Sequence, residues 1–71
     1  MTAKIIDAQT IGKRLRTLRG TKTQKEVGDA IGVTAMAISL YERGERVPND
    51  DVKVTLARYF NSTVEAIFFT F

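Results

Sequence analysis

Six cations, Lys13, Arg14, Arg16, Arg19, Lys22 and Lys25, lie between Ala8 and Lys25 with no acid among them. That pattern suits a polyanionic partner, or else the solvated face of a basic helix. From Val47 onward the balance reverses, with Asp50, Asp51 and Glu65 against Lys53 and Arg58, so one end of the chain carries the net charge of +3. The residue types needed for other chemistry are scarce. There is no His and no Cys, which removes the commonest general base and metal ligand together with any thiolate or disulfide. Carboxylates do fall close together around Glu45, Asp50 and Asp51, but loop acids without a second cluster are ordinarily solvated. No enzyme, no metal site and no cofactor is therefore expected. No apolar run approaches the roughly 20 residues of a membrane span, and Ile5-Ile6 between Lys4 and Asp7 is too short for the core of a signal peptide. The expected location is the cytoplasm.

The elements that must position these charges are legible from Thr23 to Gly44. Thr23 with Glu26 three residues later has capping-box spacing, in which hydroxyl and carboxylate each satisfy a free backbone N–H. A helix should start there, with Val27, Ala30 and Ile31 on one face and Gly32 as its stop. Thr34 then caps a second helix in which Ala37, Ile38 and Tyr41 face inward before Gly44 ends it. Two helices this short and this tightly joined must cross steeply, the geometry that presents a second helix to the DNA major groove. Its outward residues are Thr34, Ala35, Met36, Ser39 and Leu40. Thr34 and Ser39 can hydrogen-bond base edges or phosphates, and Ala35, Met36 and Leu40 can meet thymine methyl groups. The plainer roles are capping for Thr34, solvation for Ser39, and packing for Met36 and Leu40. None of the five offers a bidentate fork, so direct readout should be modest and supplemented by DNA shape.

Around this core, residues 23–44, the chain reads as one all-α domain spanning residues 1–71. An arm, residues 1–6, holds Ile5-Ile6 as a strand or an ordered extension. Asp7 caps a first helix to about Arg19 that buries Ala8, Ile11, Leu15 and Leu18 and stops at Gly20. After a loop at Glu45 to Pro48, Asn49 caps a fourth helix with Val52, Leu56, Tyr59 and Phe60 on one face, and Asn61 ends it in a left-handed conformation. Thr63 caps a last short helix with Val64, Ala66, Ile67 and Phe68. The result is a compact bundle of five short helices with room for short terminal β-strands. The tail, residues 67–71, places Ile67, Phe68, Phe69 and Phe71 where they either fold onto the domain's own core or make a homodimer contact, the latter as a strand paired with Ile5-Ile6. The dimer is the preferred reading, because a domain of this size buries only about 60% of its unfolded surface.

Gln24, Gly28, Gly32 and the run Tyr41-Glu42-Arg43-Gly44 resemble the phage repressor and Cro-like helix-turn-helix family, also called the xenobiotic-response-element family. The likeness covers about residues 8–68, with Ile11 to Arg16 similar to the family's first helix and Pro48 to Ile67 similar to its fourth and fifth. It implies a lambda-repressor-like fold and a sequence-specific DNA-binding regulator, a repressor working as a homodimer on double-stranded DNA. By the same resemblance, Gln24 binds a phosphate with Lys22, Thr23 and Lys25 beside it, and Arg43 and Arg46 grip the backbone across the groove. Arg19 and Glu42 form an ion pair that orients the recognition helix. Two features depart from the pattern. The chain is about two residues short between Arg19 and Gln24, and Ala35, Met36 and Leu40 stand where the family often has Arg, Lys or Gln. That apolar face keeps open a second reading, an antitoxin- or adaptor-like protein-interaction module on the same fold.

Overall fold

Asp7 opens the first helix by accepting the amides of Gln9 and Thr10 on Oδ1 at 3.1 and 3.3 Å. The computed structural model describes residues 7–70, and the expectations placed on Ile5-Ile6 and Phe71 lie outside them. Helix α1 is Ala8–Arg19, α2 is Gln24–Ile31, α3 is Ala35–Glu42 and α4 is Asp50–Tyr59. A π-helical turn, Glu65–Phe69, follows.

Each boundary has a local cause. At α2 the capping box closes from both sides, Glu26 N–H to Thr23 Oγ1 at 3.0 Å and Thr23 N–H to Glu26 Oε1 at 3.2 Å. Thr34 and Asn49 cap α3 and α4 with bonds of 3.0 Å from Ala37 and Val52 amides. Asn61 ends α4 at φ 54°, and the Ser62 amide reaches back to the Ala57 carbonyl at 2.8 Å, the closure expected of a left-handed cap. The shortened link between α1 and α2 is a tight turn closed by Lys22 N–H to Arg19 O at 3.1 Å, with Gly20 at φ 61° and ψ −126°. That conformation belongs to the first central position of a type II′ turn, which requires glycine.

The core comprises Ile11, Leu15, Val27, Ile38, Tyr41, Leu56, Ala57, Ile67 and Phe68. Helix α3 packs on both α1 and α2, α4 packs on α2, and the π turn packs on α1. Gly12 and Gly28 permit the closest approaches. A Cβ on Gly12 would stand 2.8 Å from the Tyr41 carbonyl oxygen, and one on Gly28 would stand 2.7 Å from that of Val33. The end of α3 therefore sits on a side-chain-free patch of α1, and the turn and cap leading into α3 sit on one of α2.

Several expectations change here. Ala30 and Leu18 are exposed instead of buried. No strand occurs among the described residues, and the tail that was to pair as one is helical through Phe69. Ile67 and Phe68, expected at a dimer contact, are 2% and 0% exposed within the chain's own core. The reason is a contact between distant parts of the chain. Arg14 donates through Nη1 to the carbonyls of Ala66 and Ile67 at 3.1 and 2.9 Å and through Nη2 to that of Thr70, drawing the last turn onto α1. Only Phe69, 40% exposed, remains of the described aromatic tail for a partner.

Candidate nucleic-acid interface

The site begins with one guanidinium. Arg19 donates from Nε to Glu42 Oε2 at 2.6 Å, from Nη2 to Glu42 Oε1 at 3.0 Å, and from Nη1 to the Lys22 carbonyl at 2.7 Å. The Glu42 side chain is only 5% exposed, and hydrogen bonding to it raises the Arg19 pKa above its ordinary value against the opposing effect of burial. Gln24 completes the arrangement by donating from Nε2 to Glu42 Oε1 at 3.1 Å. The Arg19–Glu42 pair thus ties the end of α1, the link after it, the start of α2 and the end of α3. A buried, bidentate, doubly shared carboxylate is the kind of ion pair that fixes geometry.

This network sets the start of α2 beside α3. Lys22, Thr23, Gln24 and Lys25 are brought together there. Gln24 spends one of its two amide hydrogens on Glu42 and keeps the other. First-turn amides of a helix have no partner within it, and this end attracts anions. Thr23 is committed to the capping box, and Lys25 to Asp29 at 2.7 Å. That contact, chiefly through its hydrogen bond and then through charge, raises the Lys25 pKa. Both side chains of the pair are largely exposed, so an arriving phosphate can compete for the ammonium.

At the far end of α3, Gln9 Nε2 donates to the Arg43 carbonyl at 3.4 Å, and Arg43 Nε meets Glu45 Oε2 at 3.1 Å with both side chains more than half exposed. Arg46 is exposed in the loop that follows. Between the two cationic ends, Thr34 and Met36 are exposed, and Ala35, Ser39 and Leu40 are half-buried. Met36 stands out at 63% exposure. Thr34 Oγ1 already serves as the cap of α3.

Members of the basic cluster therefore do internal work: Arg19 holds Glu42, Arg14 holds the π turn, and the Lys22 ammonium lies 5.8 Å from the Tyr59 ring centroid. Nothing local in the sequence marks Arg14 for that role, because its partners are backbone carbonyls more than 50 residues away. Gly12 and Gln9 were also missed. Gly12 did carry a signal, since glycine inside a helix costs about 1 kcal/mol relative to alanine and calls for a packing reason. A groove of about 410 Å³ runs between α1 and residues 62–67. No residue of α2 or α3 lines it, so it is separate from this face. Among the described residues no group of three His, Cys, Asp or Glu side chains is placed to share a metal ion, and no helix is long and apolar enough to cross a membrane.

The fold is shared with known proteins. Residues 13–67 match the family model described as helix-turn-helix. No curated protein matches the chain in sequence. Among solved structures, the P22 c2 repressor protein in complex with a synthetic operator superposes with a TM-score of 0.80 at 30% identity, covering 83% of this chain and 92% of that one. The restriction-modification controller protein C.AhdI from Aeromonas hydrophila gives 0.78 at 26% identity, covering 87% and 97%. The SOS-response transcriptional repressor LexA from Eubacterium rectale gives 0.77 at 25% identity, covering 90% and 72%.

Proposed function

Because the chain belongs to the Cro/C1-type helix-turn-helix family of DNA-binding regulators, we propose that it is a sequence-specific transcriptional repressor acting in the cytoplasm as a homodimer on double-stranded DNA. In this reading α3 enters the major groove. Gln24 with the first-turn amides of α2 takes a phosphate on one side, flanked by Lys22, Thr23 and Lys25, and Arg43 and Arg46 take phosphates on the other. Thr34, Ala35, Met36, Ser39 and Leu40 face the bases. A dimer would meet half-sites about one helical turn, roughly 34 Å, apart.

The observation that carries the reading is the Arg19–Glu42–Gln24 network. It holds the anion-seeking end of α2 and the exposed face of α3 as one rigid unit before any ligand arrives. The P22 c2 repressor, of similar fold, is seen with an operator.

Duplex affinity measured against salt concentration tests this. Wild-type binding should fall steeply as salt rises, and Arg43→Ala should make the log–log slope shallower by about one counterion per protomer, about two for the bound dimer. Gln24→Ala removes no charge, so it should weaken binding at every salt concentration and leave the slope unchanged. A protein that binds no duplex at low salt supports instead the interaction-module reading, which the exposure of Met36 on an otherwise apolar helix face favours.

A further inference from the structure

We propose that α3 reads the C5-methyl group of a pyrimidine in preference to its hydrogen-bonding edge, so that 5-methylcytosine is accepted where thymine is and plain cytosine is bound several-fold more weakly. The proposal rests on the reading of α3 as the base-contacting helix. It adds to that reading a sensitivity to cytosine methylation.

The polar groups available on α3 are few and mostly committed. Thr34 Oγ1 accepts the Ala37 amide, which leaves one rotatable hydroxyl hydrogen. Ser39 is half-buried. No Arg, Lys, Asn or Gln occurs from Thr34 to Glu42, so the bidentate contacts that tell guanine from adenine have no donor fork on this helix. Glu42 is closed off by Arg19 and Gln24, and one Gln24 amide hydrogen is spent with it.

What the helix does present is Met36, a thioether 63% exposed with Ala35 half-buried beside it. Methionine is flexible and polarizable, suited to closing over a small apolar group. In the major groove the only apolar group on an unmodified base is the thymine methyl. Cytosine methylated at C5 carries the same methyl at the same ring position, while its exocyclic group at C4 is a donor instead of an acceptor. A contact made of dispersion and water exclusion sees the methyl and is indifferent to that exchange. Cytosine and uracil, with hydrogen at C5, both lack the feature.

The test separates methyl from edge. A duplex enriched by the protein from a random-sequence pool is resynthesised with thymine, uracil, cytosine or 5-methylcytosine at each thymine in turn, paired with the matching purine. At the position facing Met36, thymine should bind about 4-fold more tightly than uracil, and 5-methylcytosine about 4-fold more tightly than cytosine, the value of one methyl-sized group removed from water. Met36→Ala, a surface change, should abolish both ratios together. If thymine and uracil bind alike and both exceed the two cytosines, the edge is being read and the proposal is overturned. It is equally overturned if Met36→Ala keeps both ratios. Should no duplex be enriched and none bind at low salt, the DNA-binding reading itself falls, an outcome distinct from binding that ignores the methyl group.

Discussion

Glu42 accepts three hydrogen bonds from two side chains, Arg19 and Gln24, while 5% exposed. Replacing it with Gln keeps the shape, removes the charge and puts an NH2 against a donor of Arg19 in either orientation of the amide, and against Gln24 as well in one of them. Breaking a buried pair by removing one partner typically costs about 3–5 kcal/mol. Arg19, at 16% exposure, recovers some hydration, which brings the expected loss for Glu42→Gln to about 2–4 kcal/mol. For a domain this small that is a large share of its stability. Urea unfolding checks it, and a midpoint equal to that of the parent would show the pair to be ornamental. The resemblance implied this pair from residue types alone. It did not imply that Gln24, expected to face a phosphate, would also be held by the same carboxylate.

At the scale of elements, most of what the sequence contained was punctuation. Asp7, Thr23, Thr34 and Asn49 open helices with their own side chains, and Gly32 and Asn61 close them in left-handed conformations. These signals act over a few residues, so they are legible without a fold. The helical faces of α3 were legible for the same reason, because Ile38 and Tyr41 follow the period of the helix. What was not legible depends on distant backbone. The π turn is the main case. Its sequence is an apolar tail with no stated destination, and its destination is set by Arg14 reaching the carbonyls of Ala66, Ile67 and Thr70. Lys53 supports it from α4. That lysine is 7% exposed, with its ammonium 5.0 Å from the Phe69 ring centroid and 6.0 Å from that of Phe68, a cation–π arrangement no local pattern announces. Arg14→Ala should therefore loosen the π turn first. Amide exchange at Ile67 to Thr70 should accelerate, with a stability loss of about 1–2 kcal/mol, while α2 and α3 keep their protection. Equal acceleration in α2 and α3 would show that the last turn and the proposed DNA face unfold as one unit.

For the whole molecule, the proposed dimer must be rebuilt on what the core leaves outside. Ile67 and Phe68 close the monomer, so a truncation after Ile67 would remove the most deeply buried side chain and unfold the chain, whatever the oligomeric state. Phe69 is the better probe. Phe69 is 40% exposed and its described contact is the Lys53 ammonium, so Phe69→Ala should cost about 1–2 kcal/mol of monomer stability. An aromatic anchor at the centre of an interface is commonly worth about 2 kcal/mol or more, which is roughly a 30-fold weaker dimer. Sedimentation should thus show a wild-type dimer dissociating to monomer in Phe69→Ala, with a urea midpoint that is lower than that of the parent and no longer depends on protein concentration. DNA affinity should fall with it, because two half-sites bound by linked domains gain from effective concentration that separate monomers lack. A wild-type chain that sediments as a monomer, free and on DNA, would leave each domain reading its half-site alone. The modest direct readout proposed for α3 would then have no second copy to reinforce it.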